Sequence, residues 1–350
     1  MGLGACTAVG ANVAASAAAV RAGISTFAEH SFVIDTAGNP MIVAPASYLS
    51  QDILGADRYI HLSVPAITEA VHPLFAAQAA VAPMAAIIGL PPKRPGLSKG
   101  LVSRISEALK SATQNYIHIT EIETIQTGHS AGLMALEAGW KKLKRGMAEF
   151  CLIGGVDSYL EPATLEWLEA CDQLHSAGDM NNAWGFVPGE AAGFCVLATR
   201  NAVSKCNVRP LSGIITVATA QEYNLIKTDT VCLGRGLTHV FEQALQALPA
   251  SSPKIDDIIC DMNGEPYRAE EFGFASIRVS EFFTDVSDFI APADCWGDVG
   301  AASGPLFINL ASTAWRKGYA NGPYALLWTS SESGERCAAV LTDADMARQN

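Results

Sequence analysis

The sequence has few charged residues for its length, and acidic residues outnumber basic ones. Only 17% of its 350 residues are charged, and the formal net charge is −12 at pH 7. No basic stripe interleaved with aromatic residues offsets this charge, so the chain would repel a phosphate backbone. The composition therefore argues against nucleic acid as a partner. Because 49% of the residues are hydrophobic, we expect a large buried core in one large domain or two fused domains.

The sequence has no CxxC pair, although it contains nine cysteines. The cysteines are scattered, and several lie in apolar runs such as residues 150–153. This pattern is typical of reduced, buried thiols in a cytoplasmic protein. No cluster of histidine, cysteine and acidic residues has the spacing of a metal site. We therefore expect neither a metal nor another cofactor.

Signals for export, for a membrane span and for a dinucleotide are also missing. The N-terminus lacks the basic start of a secretory signal. The longest uncharged stretch, Ala70 to Pro92, is broken by prolines and is predicted to form a helix, a loop and a buried strand. Thr7 stands where the dinucleotide fingerprint would need its third glycine. These absences predict a cytoplasmic protein with no membrane span and no nicotinamide site at its first turn.

Residues 121–132 are the most informative stretch of the sequence. Residues 121–127 predict a short strand, and a turn at 127–132 leads from it into a helix whose apolar residues recur at steps of three and four. Main-chain N–H groups converge at the start of such a helix on whatever side chain lies in the turn. The turn is therefore a candidate functional site.

Predicted helices and strands alternate in two parts of the chain. In the first part we predict a helix near Asp57 to Ala70, a strand at Met84 to Leu90 and a helix near Ser98 to Ser111. Beyond a polar break, we predict a helix near Leu233 to Leu248, a strand at Ile255 to Met262 and a final strand pair near Tyr324 to Leu341. The repeated order indicates an internal duplication, with similar halves at residues 1–205 and 206–350.

Taken together, these segments resemble the β-ketoacyl synthases of the thiolase-like superfamily. The stretch Gly185 to Gly193 is similar to a signature of that family and is the most specific match, while Gly154 to Asp157 resembles the strand after the nucleophile helix. Thr329 to Val340 is similar to the C-terminal glycine-rich loop and closing strand. The resemblance covers nearly the whole chain. It implies an α/β fold with αβαβα layers built from two similar halves, and a 3-oxoacyl-acyl carrier protein synthase, an acyltransferase of fatty acid or polyketide biosynthesis.

The catalytic positions of that family hold other residues in this sequence. By resemblance, His129 occupies the position of the acyl-accepting cysteine, and Asn263 and Asp298 occupy those of the two catalytic histidines. Condensation needs a thiolate that forms a stable thioester, and donors that stabilise the enolate. An acyl imidazole would hydrolyse readily, and a carboxylate at Asp298 would repel a malonyl group. We therefore predict a pseudoenzyme that acts as a scaffold or binds an acyl group or carrier protein.

The resemblance also implies partners. It predicts a homodimer in which the strand before His129 lies at the interface, and a heterodimer with an active synthase is the alternative. Acyl carrier protein and acyl-CoA are the expected ligands. The negative net charge weakens long-range attraction to an acidic carrier protein. Only local basic clusters such as 141–145 would attract one, and a solvated helix end is the simpler interpretation of that cluster.

Two enzymatic alternatives stay open at this point. If Asp298 fixes the tautomer of His129, the helix dipole would keep the imidazole neutral. His129 could then activate water, with Asn263 donating to the oxyanion, as in a thioester hydrolase. Residues 128–132 also fit the Gly-x-Ser-x-Gly elbow, with Ser130 as the nucleophile of an acyltransferase. The order of the partner residues disfavours this second alternative, because an elbow serine needs a later acid followed by a late histidine.

Overall fold

The computed structural model describes residues 1–76, 83–114, 117–178, 181–206, 208–249 and 252–349. The strands are β1 (Gly2–Thr7), β2 (Ala28–Ile34), β3 (Pro40–Val43), β4 (Met84–Gly89), β5 (Ile119–Ile125), β6 (Phe150–Ser158), β7 (Glu190–Ala198), β8 (Ser212–Gln221), β9 (Asp257–Cys260), β10 (Tyr324–Ser330) and β11 (Glu335–Asp343). The helices are α1 (Val13–Arg21), α2 (Gly55–Ala76), α3 (Leu101–Thr113), α4 (Ala131–Lys144), α5 (Pro162–Ala170), α6 (Arg200–Cys206), α7 (Arg235–Leu245), α8 (Pro266–Val279), α9 (Ala293–Trp296), α10 (Ser303–Lys317) and α11 (Ala344–Gln349).

Two sheets repeat one strand pattern. The first has the order β1-β7-β6-β4-β5, and the second has the order β8-β11-β10-β9. In the first sheet β1 and β6 are antiparallel to β7, and β4 is parallel to β6. In the second sheet β8 and β10 are antiparallel to β11, and β9 is parallel to β10. This correspondence confirms the prediction of two similar halves. The boundary at residues 205 and 206 stays a prediction, and it falls between β7 and β8.

The sheets and helices form five layers. Helices α4 and α10 lie between the two sheets, where α4 contacts β4, β6 and β8, and α10 contacts β7 and β10. Helices α2 and α3 cover the outer face of the first sheet, while α7 covers that of the second and contacts α8. Strand β6 is buried along its whole length because both faces of its sheet carry helices. The predicted αβαβα layering is therefore confirmed.

Several predicted elements are found close to their predicted bounds. The predicted strand at Met84 to Leu90 is β4, and the predicted helix near Leu233 to Leu248 is α7. Helix α2 runs further than its pattern predicted and contains Pro65 and Pro73. The middle of the uncharged stretch, residues 77–82, lies outside the described residues. Within the described part of the chain, no helix has the length and apolarity to cross a membrane.

The two central helices start against each other. A Cβ atom built on Gly132, near the start of α4, would lie 2.3 Å from Cδ of Pro305 and 2.8 Å from the main-chain oxygen of Ala301. A Cβ atom on Gly304, near the start of α10, would lie 2.8 Å from the main-chain nitrogen of Leu133. Glycine is therefore required on both sides of the contact, and this close approach brings the two preceding turns together.

We expect Gly132→Ala to lower the free energy of unfolding by about 1–3 kcal/mol, because the added methyl group would overlap Pro305 and main-chain atoms. Gly273→Ala is the matched control, since Gly273 lies in α8 and its built Cβ meets nothing within 4 Å. This control should be neutral or stabilising by up to about 1 kcal/mol. Urea unfolding measures both, and equal stabilities of the two variants would contradict the close contact.

Candidate functional site

His129 lies in a single turn of 3-10 helix, Gly128–Ser130, between β5 and α4. Gly128 has a φ of 77°, a left-handed conformation that favours glycine, and its N–H donates to the oxygen of Leu90. The turn is also fixed to the other half of the chain, because the N–H of Ser130 donates to Oγ of Ser331 at 2.9 Å. The imidazole is thereby held in a buried position, with 6% of the residue exposed.

Asp298 lies in the corresponding turn before α10. Its main-chain N–H donates to the oxygen of Val187 at 2.7 Å, and its oxygen accepts from the N–H of Gly189 at 2.8 Å. Both partners belong to the segment Gly185 to Gly193, which precedes and enters β7 in the first half. That segment therefore positions an acidic residue of the second half beside the turn that carries His129.

The three predicted site residues come together around the carboxylate of Asp298. Nε2 of His129 lies 2.8 Å from both carboxylate oxygens. Nδ2 of Asn263 donates to Oδ2 at 2.7 Å, and the N–H of Gly300 donates to Oδ1 at 2.8 Å. Both oxygens of the buried carboxylate are therefore occupied by donors from the protein, and the ring nitrogen that faces them is engaged as well.

Arg268 completes the cluster, and the sequence did not identify it as a site residue. Its Nη2 lies 3.3 Å from Nε2 of His129, while Nη1 donates to Asp261 at 3.1 Å and to the oxygen of Ser330 at 2.9 Å. The side chain is 1% exposed. Arg268 and Asp261 are seven residues apart, so their ion pair depends on the turn between β9 and α8, a contact that no sequence pattern predicts.

A second ring of charged residues surrounds this cluster. Nζ of Lys227 lies 3.0 Å from Glu265 and 2.6 Å from Glu332, and Nδ2 of Asn263 donates to Glu265 at 3.0 Å. Tyr267 also donates to Glu265. Two cations therefore face four carboxylates in the combined network: Arg268 and Lys227 against Asp261, Asp298, Glu265 and Glu332. This arrangement can accommodate a protonated His129.

Comparison with known proteins agrees with the fold of the chain. Residues 120–202 match the family model described as beta-ketoacyl synthase, N-terminal domain. A chain from the structure of a type II PKS acyl-carrier protein in complex with its ketosynthase has a TM-score of 0.78 at 16% identity, with 98% of each chain covered. The chain has a ketosynthase-like fold.

Other solved structures agree on the fold. The ishigamide ketosynthase/chain length factor has a TM-score of 0.69 at 19% identity, with 98% of each chain covered. A ketosynthase from module 6 of the bacillaene synthase from Bacillus subtilis 168 has a TM-score of 0.72 at 14% identity, covering 98% of this chain and 71% of that one. No curated protein matches the sequence.

One small cavity of this ketosynthase-like chain lies beside Asp298. The cavity there has a volume of about 10 Å³, which is about the space of one water molecule. Cys260 lines it, but its thiol donates to the oxygen of Ile290, and burial raises the pKa of the thiol far above its ordinary value. Cys295 and Cys337 do not line this cavity, and Cys337 is fully buried in β11. Of these three thiols, only that of Cys260 lies at the cavity, and it is hydrogen-bonded there.

Ser130 is a poor candidate for the nucleophile in this ketosynthase-like fold. The residue is fully buried, and Oγ lies within hydrogen-bonding distance of the main-chain oxygens of Thr329 and Glu335. Thr329 also contacts Oγ of Ser130 through its own hydroxyl. The hydroxyl of Ser130 therefore connects the turn to β10 and β11 through these hydrogen bonds. A serine nucleophile instead needs an accessible Oγ that is bonded to a base.

The pKa of His129 lies above its ordinary value of 6.5. Burial lowers this pKa, but the charge and hydrogen bond of Asp298 outweigh burial and the opposing charge of Arg268. The pKa of Asp298 is held well below its usual range, because His129, Arg268 and the N–H of Gly300 together outweigh the effect of burial. The helix dipole favours a neutral imidazole, whereas the direct contact with the carboxylate of Asp298 favours the charged form.

We expect His129→Gln to destabilise the protein by about 3 kcal/mol at low pH, because it leaves Asp298 buried without its cationic partner. The pKa of His129 is raised by folding, so its contribution is fully present below the unfolded value and is lost as the pH rises through the folded value. The difference from the wild type should therefore shrink as the pH rises above the unfolded value of about 6.5.

Urea unfolding at several pH values measures this difference, with His118→Gln as the control at an exposed histidine. A difference between wild type and His129→Gln that stays constant or grows with pH would contradict a cationic His129.

Proposed function

We propose that the protein is a non-condensing ketosynthase-like subunit that serves as a scaffold for a partner chain. The observation that carries this proposal is the contact of His129 with Asp298, in which Nε2 lies 2.8 Å from both carboxylate oxygens. A residue at the nucleophile position of a working synthase has to be free to accept an acyl group. Here the side chain at that position is buried and bonded to a residue of the opposite half.

The chemistry of the cluster supports the absence of condensation. The cationic form of an imidazole has no lone pair available for attack, and a neutral His129 would still direct Nε2–H at Asp298. The carboxylate of Asp298 would also repel a malonyl carboxylate and the enolate that forms from it. The cavity of about 10 Å³ beside Asp298 is too small for an acyl chain.

The edge of the first sheet supports a paired assembly. Strand β5 is the last strand in that sheet and pairs with β4 alone among the described residues. An edge strand presents unpaired N–H and C=O groups that a second chain can use. Ile122 and Ile125 on this strand are only partly buried. We propose that this edge pairs with a second copy or with an active synthase.

The basic cluster at the end of α4 gives little support to direct docking of a carrier protein. Lys142 is paired with Glu121 at 2.7 Å and Glu123 at 2.8 Å, and Lys141 is paired with Glu137 at 2.8 Å. Nζ of Lys144 lies 4.1 Å from the ring centroid of Trp140. Because these lysines already have partners in the chain, an acyl carrier protein is better expected to reach the assembly through an active partner subunit.

We expect no covalent acyl adduct after incubation of the purified chain with acyl-CoA or with an acylated carrier protein, because no free thiolate stands at the nucleophile position. Intact-protein mass spectrometry measures the adduct. Native mass spectrometry of the same sample should show a pair of ketosynthase-like chains. A stable acyl adduct on His129, or a chain that stays monomeric alone and with an active synthase, would contradict the proposal.

A thioester hydrolase is the second candidate function, and the specific observation in its favour is the pairing of an imidazole with a carboxylate. Such a pair can activate water when the imidazole is accessible and neutral at the working pH. The burial of His129, its raised pKa and its contact with Arg268 at 3.3 Å all act against this role.

We therefore expect no hydrolysis of acyl thioesters that depends on His129. The wild type, His129→Ala and the control His118→Ala should release thiol at the same background rate in a colorimetric assay. Saturable hydrolysis in the wild type and His118→Ala that disappears in His129→Ala would instead establish the hydrolase and contradict the scaffold.

A further inference from the structure

Three side chains that play no part in the cluster around His129 converge in the second half of the fold. Glu222 directly follows β8, Cys232 lies in the loop before α7, and Glu271 lies in α8. One carboxylate oxygen from each glutamate and Sγ of Cys232 all lie within 4.8 Å of one another. Both glutamates are buried, while Cys232 is half-buried.

The backbone around this group is shaped to bring the three residues together. Gly234 has a φ of 62°, and a Cβ atom built on it would lie 2.6 Å from the main-chain oxygen of Glu271. A Cβ atom on Gly236 would lie 2.9 Å from Cα of Glu222. Larger side chains at these positions would push the loop away from both glutamates. Gly234 and Gly236 therefore allow the segment from Cys232 to Gly236 to pack closely against the main chain of both glutamates.

Glu271 carries an oxygen that is buried without a donor. Its Oε1 accepts from Nε of Arg336 at 2.6 Å, whereas Oε2 has no hydrogen-bond partner among the described residues, although the residue is 1% exposed. In Glu222, Oε1 accepts from the N–H of Asn224 and Oε2 from the N–H of Gly236. A buried carboxylate oxygen without a donor is costly, and a cation is one way to satisfy it.

The charges of the group call for a divalent cation. Two carboxylates and a metal-bound thiolate would carry three negative charges, of which Arg336, which donates to Glu271 at 2.6 Å, would neutralise one. A divalent cation would neutralise the other two.

We propose that Glu222, Cys232 and Glu271 form a zinc site. Zinc is a borderline-soft ion that accepts both thiolate and carboxylate ligands, whereas calcium and magnesium bind oxygen ligands only. Three protein ligands leave a fourth position, which can face solvent beside the half-buried Cys232. The ion would connect the end of β8 and the loop before α7 to α8. This inference does not depend on the proposed scaffold function.

Cobalt is the probe for the test, because a thiolate bound to Co²⁺ gives a charge-transfer absorption in the near ultraviolet. We expect the purified full-length chain, freed of metal with a chelator, to bind about one equivalent of Co²⁺ with that absorption. Zn²⁺ should displace the Co²⁺ and abolish the band. Cys232→Ser should lose the band and bind Zn²⁺ at least ~10-fold more weakly.

The control is Cys171→Ser, which replaces an exposed cysteine in the first half and should keep both the band and the affinity. Glu271→Gln provides a second variant and should weaken Zn²⁺ binding, with circular dichroism confirming that the chain is folded. The inference is overturned if the wild type shows no charge-transfer band, if the band persists in Cys232→Ser, or if Mg²⁺ competes as well as Zn²⁺.

Discussion

The contact between His129 and Asp298 joins the two halves of the chain at the centre of a buried cluster of charged residues. Each residue lies in the turn before a central helix, His129 before α4 and Asp298 before α10. The glycines near the starts of these helices allow the turns to approach. The segment Gly185 to Gly193 then holds the main chain of Asp298 in place. The site is thus a consequence of how the duplicated halves meet.

The buried charges of this cluster compensate one another. A buried ion pair contributes little net stability on average, but removing one partner is costly because the other charge stays buried. His129, Asp298 and Arg268 depend on one another in this way, and Asn263 satisfies a further position on the carboxylate. A fold can persist when the chemistry of its site has changed, because packing and catalysis depend on different residues. Under the proposed scaffold function, the chain would be retained for its shape and surface.

Much of the fold could be predicted from the sequence. The apolar strand β4 and the periodic helix α4 are local patterns, and the segment Gly185 to Gly193 carried a specific resemblance. The same resemblance named His129, Asn263 and Asp298, and the structure brings these three side chains together. Their roles stay predictions. The neutral state expected for His129 rested on the helix dipole alone, and the structure adds an adjacent carboxylate that favours the charged form.

What the sequence could not predict are contacts between distant segments. Arg268 lies in the amphipathic helix α8, where an arginine is ordinary, and only the packing of that helix places it beside His129. The convergence of Glu222, Cys232 and Glu271 has no spacing signature, since each residue comes from a different element. Long-range placement of this kind depends on the register of the sheets and on the approach of loops, which composition and periodicity do not encode.

A double-mutant cycle on His129 and Asp298 tests the central claim most directly. The free energies of unfolding of the wild type, His129→Gln, Asp298→Asn and the double variant give the energy of their interaction. If the two side chains compensate each other's charge, we expect a coupling of at least about 2 kcal/mol near pH 6. The double variant should then lose less free energy of unfolding than the sum of the losses in the two single variants. Additivity within about 0.5 kcal/mol would show that the two side chains do not depend on each other, and would contradict the account.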